Sequence, residues 1–163
     1  MNLNVIKEEL LKKQLKSASV DILVYPNKDY VIIPRGRSLD KEWVGAKVLN
    51  YKEKGNFNED DIKLFNHKLL ECLTISHDYN NKCIKPTNKN LEPNFNAEGS
   101  KNNFKDYHYI SLIFFSNTDI IRINSLKPID KKGSEWIGKA SSSFELSIDN
   151  IDKAYDIIKN IYS

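Results

Sequence analysis

The chain has 163 residues, of which 40% are hydrophobic and 29% charged, with a net charge of +3 and a pI of about 8.7. That length suits one domain with a real core, and the composition is that of a polar globular protein. It excludes three classes: no apolar run is long enough to cross a bilayer, two cysteines (Cys72 and Cys83) make no disulfide framework, and 25 basic residues scattered among 22 acids do not form the concentrated basic element of a strong nucleic-acid binder.

The first 17 residues predict a short amphipathic helix or arm, with Leu3, Ile6 and Leu10 on one face and Lys7, Glu8, Lys12 and Lys13 elsewhere. There is no continuous apolar stretch and no small-residue cleavage site, so this is not a secretory signal. A cytoplasmic protein with reduced thiols is expected. Residues 18–163 then read as a single domain. Strands are predicted at about 20–25 and 29–34, joined by a turn at Pro26-Asn27-Lys28-Asp29. Pro34-Arg35-Gly36-Arg37-Ser38 reads as a loop, because proline and glycine punctuate regular structure. A third strand is predicted around Glu42 to Leu49. Asn58 is the expected N-cap of a helix whose first turn holds Glu59, Asp60 and Asp61, acids that suit the positive end of the helix dipole. Ile62, Phe65, Leu69, Cys72 and Leu73 form its apolar stripe.

Residues 78–106 differ in composition, with eight asparagines, two prolines and few apolar anchors. They predict a long connecting loop, with a short helix over 101–106. The most apolar stretch follows, from Tyr109 to Ile123. It predicts two strands, 108–115 and 119–125, joined at Ser116-Asn117-Thr118-Asp119 and lying centrally in a sheet. A third strand around Glu135 to Leu146 and a helix from Ile148 to Tyr162 complete the chain, with Asp149 or Asn150 at the start of that helix.

The halves 20–76 and 107–162 align. Asn27-Lys28-Asp29 matches Asn117-Thr118-Asp119, Glu42-Trp43-Val44-Gly45 matches Glu135-Trp136-Ile137-Gly138, and Ile62 and Ile151 open the two helical stripes. A repeated strand-strand-strand-helix unit is the simplest explanation, against chance similarity in a chain rich in Asn, Lys and Ile. The predicted fold is therefore α+β: one two-layer domain, a largely antiparallel central sheet with helices packed on it, and two βββα-like halves preceded by an N-terminal helix.

No catalytic pattern emerges. His67, Cys72, His77, Cys83 and His108 lack the spacing of a metal site, and Cys72 sits on the apolar stripe as a small core residue. There is no nucleophile elbow, and Gly99-Ser100-Lys101 lacks the glycine spacing of a phosphate-binding loop. No enzyme, cofactor or metal is expected. Arg35 and Arg37, with Tyr25 and Tyr30, leave open a small RNA-binding module that contacts phosphates and stacks on bases. Trp43 and Trp136 are matched and read as packing residues, one of them an alternative binding anchor.

Three stretches taken together resemble a known family. They are Tyr25-x-Asn27-Lys28-Asp29-Tyr30-x-Ile32-Ile33-Pro34, Leu69-Leu70-Glu71-Cys72-Leu73-x-x-Ser76, and Glu98-Gly99-Ser100-Lys101-Asn102-Asn103-Phe104, the last followed by paired strands and a short amphipathic helix. The chain from about 20 to 162 resembles the immunity proteins of bacterial contact-dependent growth inhibition, the CdiI type; the Asn/Lys-rich 79–97 segment is longer than such proteins usually carry. The resemblance implies a cytoplasmic, non-enzymatic inhibitor. Its partner would be the C-terminal toxin domain of a cognate CdiA effector, commonly a nuclease, whose active site or substrate access it blocks, with no direct contact to nucleic acid or membrane. The mild basic charge runs against the acidic character common in inhibitors of basic nucleases, so Glu59, Asp60 and Asp61 are candidates for a local acidic face. The toxin contacts are expected on the loops, at Arg35, Arg37, Asp78, Tyr79, Asp106 and Tyr107, because loops held by a rigid sheet carry recognition and Tyr and Arg are favoured anchors.

Overall fold

The structure, a computed structural model, describes residues 17–36, 47–80, 108–115, 118–127 and 139–161. The expected N-terminal helix, Arg37, Trp43, Cys83, residues 81–107 (with Asp106, Tyr107 and the short helix predicted there) and Trp136 lie outside the described residues. The strands are β1 (Ala18–Val24), β2 (Asp29–Gly36), β3 (Lys47–Val48), β4 (Glu53–Asn56), β5 (His108–Phe115), β6 (Ile120–Lys127) and β7 (Lys139–Ser147). Helix α1 spans Ile62–Asn80, and α2 spans Ala154–Ile161 after a 3₁₀ segment at Ile148–Lys153. All pairings are antiparallel, in the order β3-β2-β1-β5-β6-β7, with β4 sharing the outer edge of β2. The α+β class is as expected; the second half has the expected strand-strand-strand-helix order, the first half carries one strand more, and β1 meets β5 at the centre.

Strand alternation decides the two faces. Val20, Ile22 and Val24 of β1, Tyr30 and Ile32 of β2, Ile110, Leu112 and Phe114 of β5, and Ile121 and Ile123 of β6 turn to one face. There they meet Phe65, Leu69, Cys72 and Leu73 of α1, and Ile151, Tyr155 and Ile158 from the end of the chain. Burying a side chain of this size contributes roughly 1.5–3 kcal/mol. The rings of Tyr30, Phe57, Phe65 and Tyr155 pack at centroid distances of 4.9 to 5.8 Å, in the tilted and edge-on geometries their quadrupoles favour. Burial pushes the Tyr30 phenol up to about 12.

Several expectations need correction. Strand β2 continues through Pro34, Arg35 and Gly36, which the sequence marked as a loop. The Pro34 carbonyl accepts from Leu49 N at 2.9 Å on the outer side of β2. The missing proline N–H therefore faces that same side, where a strand tolerates it. Gly36 is there for space: a Cβ would lie 2.4 Å from Tyr79 Cδ1 and 2.8 Å from Leu49 Cδ2. Strand β4 is not among the strands predicted from the sequence. Within it Gly55 makes room for the Tyr30 phenol, whose hydroxyl would be 2.2 Å from an added Cβ.

The start of α1 also differs. Asn56, not Asn58, caps a 3₁₀ turn at Phe57–Glu59 by accepting from Asn58 N. Asp61 then accepts from Leu64 N at 3.0 Å and takes the capping role at the helix proper. The acids Glu59, Asp60 and Asp61 thus precede the helix. At its other end α1 runs on to Asn80, seven residues beyond Leu73 of the predicted stripe. Of the predicted third strand, Lys47 and Val48 form β3, and residues 42–46 lie outside the described residues. The final helix is capped by Ser147, which accepts from Asp149 N at 3.3 Å, and it begins as 3₁₀ before turning α-helical at Ala154.

Candidate functional site

The second face of the sheet carries the chain's most unusual polar chemistry. On this face of β1 come Ser19, Asp21 and Leu23, and Asp21 is the only charged side chain in that strand. It is fully buried. A buried carboxylate needs partners, and register supplies them. Asp21 stands opposite Ile33 of β2 and Ser111 of β5, so Arg35 and Tyr109 lie diagonally across it on either side. Arg35 Nη1 donates to Asp21 Oδ2, Tyr109 Oη donates to Asp21 Oδ1, and Arg35 Nη1 lies 3.2 Å from Tyr109 Oη. Burial pushes the Asp21 carboxyl up, against the pull of the Arg35 cation and the Tyr109 hydrogen bond. Burial also works against the Arg35 cation, but the field of Asp21 outweighs it and holds the guanidinium protonated. Around this cluster Leu23, Val31, Ile33, Val48 and Tyr109 form a second apolar group.

From Asp21 a polar row crosses the central strands: Ser111 on β5, Asn124 on β6 and Ser143 on β7 stand at successive opposed positions. In the next row Arg122 pairs with Glu145 across β6 and β7 at 3.0 Å, and its guanidinium lies 5.2 Å from the Phe115 ring centroid. Exposure increases along the way, from buried Asp21 through half-buried Ser111 and Asn124 to exposed Ser143 and Glu145. The Arg35 side chain is 25% exposed. Its head group is held by Asp21 and Tyr109, so the part of the side chain that reaches the surface is fixed in position. That arrangement suits recognition, since a held side chain loses little entropy on contact.

The expected contact residues divide between the two faces. Arg35 is on a strand and its guanidinium points to the second face. Asp78 and Tyr79 are in the last turn of α1, on the helical side, with the Tyr79 ring packed on Gly36. Three hydrogen bonds from two side chains tie this helix end to the sheet: Ser76 Oγ accepts from Ser19 N at 2.9 Å and donates to the Arg35 carbonyl, and Asn80 Nδ2 donates to Ser17 O at 2.9 Å. Helix end and strand are therefore one rigid corner, although the Arg35 guanidinium and the Tyr79 ring do not share a surface. Asp21 and Tyr109 were missed as partners of Arg35. The available signal was a lone carboxylate inside an otherwise apolar strand, a residue that cannot be buried unaccompanied.

Other candidates resolve simply. Cys72 is buried, its thiol pushed up by burial and 3.7 Å from the Ile32 carbonyl. His67 faces Glu71 at 3.0 Å one helical turn away, and His77 Nδ1 lies 3.5 Å from Asp78. Among the described residues no three His, Cys, Asp or Glu side chains converge as a metal site would require. Of the acidic trio, Asp60 sits with φ of 51° and lies 3.2 Å from both the Tyr155 hydroxyl and Lys159 Nζ, which ties the start of α1 to α2. A cleft of about 680 Å³ opens beside the β1–β2 turn and β4. Its amides and carboxylate bind one another: Asn27 and Asn56 both donate to Asp29, at 2.8 and 2.7 Å, and hold its carboxyl below the usual range.

Comparison with protein-family models, curated proteins and solved structures gives no match to this chain. Among the described residues no helix is long and apolar enough to cross a membrane.

Proposed function

We propose that the chain is a CdiI-type immunity protein: a cytoplasmic inhibitor that binds the C-terminal toxin domain of a cognate CdiA effector and blocks its active site or substrate access. The observation that carries this reading is the second sheet face, where a pinned Arg35 and a graded row of Ser111, Asn124, Ser143 and the Arg122–Glu145 pair make a rigid polar surface of the kind protein partners dock on. Two of the stretches that bear the family resemblance also meet in one packed unit. Cys72 of the helical stretch contacts the backbone of Ile32 in the 25–34 stretch, and Ser76 contacts that of Arg35 just past its end. The toxin surface is proposed to engage Arg35 first, with Asp78 and Tyr79 at the adjoining corner, and Arg37, Asp106 and Tyr107 complete the proposed set.

The RNA-binding alternative has less to support it. Its leading arginine is committed to a buried carboxylate, and the salt-dependent phosphate contacts that drive such binding need cations available to the backbone. Co-expression tests the reading. A CdiA toxin domain encoded beside this chain should arrest growth when expressed alone, and growth should recover when this chain is co-expressed. Arrest that persists with both proteins present at comparable levels removes the function and leaves the fold untouched.

A further inference from the structure

The two edges of the sheet are protected unequally. The outer side of β2 is covered by β3 and β4, and the Lys68 ammonium donates to the β4 carbonyl of Lys54. Strand β7 ends the sheet on the other side, and among the described residues no strand pairs with its outer edge. At nine residues it is the longest strand of the sheet. Native edges are usually blunted by proline, inward charge or brevity. Lys139-Ala-Ser-Ser-Ser-Phe-Glu-Leu-Ser147 has no proline, and its two charges are Lys139 at the start of the strand and Glu145, which is paired with Arg122.

The hydrogen-bond phase of this edge follows from its partner. Ile148 N donates to Asp119 O at 2.9 Å, which extends the β6–β7 ladder by one position. In an antiparallel ladder, bonded pairs alternate with non-bonded ones. Leu146 and Phe144 therefore direct their backbone groups toward β6, and Ser143, Glu145 and Ser147 direct theirs outward. Phe144 stands opposite Ile123, a core residue of the helix-side face, yet its own ring is 40% exposed. An exposed aromatic ring thus lies beside a run of open backbone donors and acceptors.

We propose that β7 pairs antiparallel with β7 of a second copy of this chain, extending the two sheets into one through a two-fold axis at Phe144. Side-chain chemistry selects that register. Centred on Phe144, the two rings lie directly opposite each other as a non-hydrogen-bonded pair, an aromatic pairing that stabilises antiparallel strands. Ser143 of each copy then faces Glu145 of the other, a hydroxyl donor against a carboxylate. Centred one residue later, Glu145 would face Glu145 and like charges would oppose. Centred one residue earlier, Phe144 would face a serine and its ring would stay half wet. A single strand seam buries less than the roughly 1,200 Å² of a standard interface, so the pairing is weak and depends on concentration.

Cysteine cross-linking reads the register. Opposed residues in non-hydrogen-bonded pairs have Cα atoms about 4.5 Å apart, within the range of about 4.4–6.8 Å that a disulfide spans. In a Cys83→Ser background, Phe144→Cys should form a covalent dimer under mild oxidation. Ser147→Cys should not, because the two copies of that residue would lie roughly 20 Å apart at the strand rise. Sedimentation of the unmodified protein should show a monomer–dimer equilibrium between roughly 1 μM and 1 mM, weakened about tenfold or more by Phe144→Lys. A strict monomer with no cross-link at 144 overturns the proposal. Preferential cross-linking at 147 overturns the register. A strict monomer whose Phe144→Lys variant loses toxin affinity assigns the edge to the toxin instead and equally overturns self-pairing.

Discussion

The two faces of the sheet are made of different materials. On the helical side, apolar strand residues meet apolar helix residues, and an aromatic group of four rings closes the layer. On the opposite side a smaller apolar group surrounds a buried carboxylate, a guanidinium and a phenol, and grades outward into polar side chains. The first face is held by burial, which is non-directional and tolerant of shape-conserving exchange. The second is held by directional contacts, which tolerate no single loss but fix positions well. A molecule that must stay folded while presenting fixed groups to a partner gains from having one face of each kind.

The largest expected effect is on the helical face. Phe65→Ala removes a fully buried ring from the aromatic group and should cost about 4 kcal/mol in denaturant unfolding. A loss near zero would mean that the face is not close-packed. Next comes the polar face. Asp21→Ala leaves Arg35 and Tyr109 without their acceptor and should cost about 3 kcal/mol. Replacing both charges together, with Asp21→Leu and Arg35→Met, should come within about 1 kcal/mol of the native chain, because an apolar pair of similar size leaves no orphaned charge. If the double substitution costs as much as the single one, the difference between the faces is not one of paired charge.

A smaller effect is expected at the corner joining the faces. Gly36→Ala drives a methyl group into the Tyr79 ring and should cost about 2 kcal/mol. Adding Tyr79→Ala should recover about half of it, a coupling that a double-mutant cycle would read. The smallest effect concerns pH, where two aspartates have opposite signs. Asp60 has its pKa lowered by the Lys159 hydrogen bond, so its contribution is present above the ordinary carboxylate pKa of 3.8 and is lost as pH falls through the lowered value. Asp21 has its pKa raised by burial, so its contribution is fully present below 3.8 and declines as pH rises through the raised value. Asp60→Asn should flatten the acid limb of a stability profile, and Asp21→Asn the limb above it. If neither limb changes, both assignments fail.

Much of the helical face could be read in the sequence. The periodic placement of Phe65, Leu69, Cys72 and Leu73 predicted the buried side of α1, and the apolar run at 109–123 predicted two inner strands. Local punctuation was the less reliable guide. Pro34 and Gly36 signalled a loop, but strand pairing overrode them, since the proline needs no donor on its side and the glycine makes room for Tyr79. Gly55, to which no element was assigned, lies in β4 and makes room for Tyr30. The polar face was the least legible. Asp21, Arg35 and Tyr109 are separated by 14 and 74 positions and meet only through strand register, which no local pattern encodes. Of the contact residues expected from the sequence, Arg35 was chosen as a loop cation and turns out to be a strand residue locked to a buried acid.

The most direct test of the inhibitor reading is a calorimetric titration of the purified chain with the CdiA toxin domain encoded beside it. A one-to-one complex with Kd below about 100 nM, four orders of magnitude tighter than casual millimolar contact, is the expected result. No heat of binding, with the toxin fully active in the presence of excess chain, would contradict it.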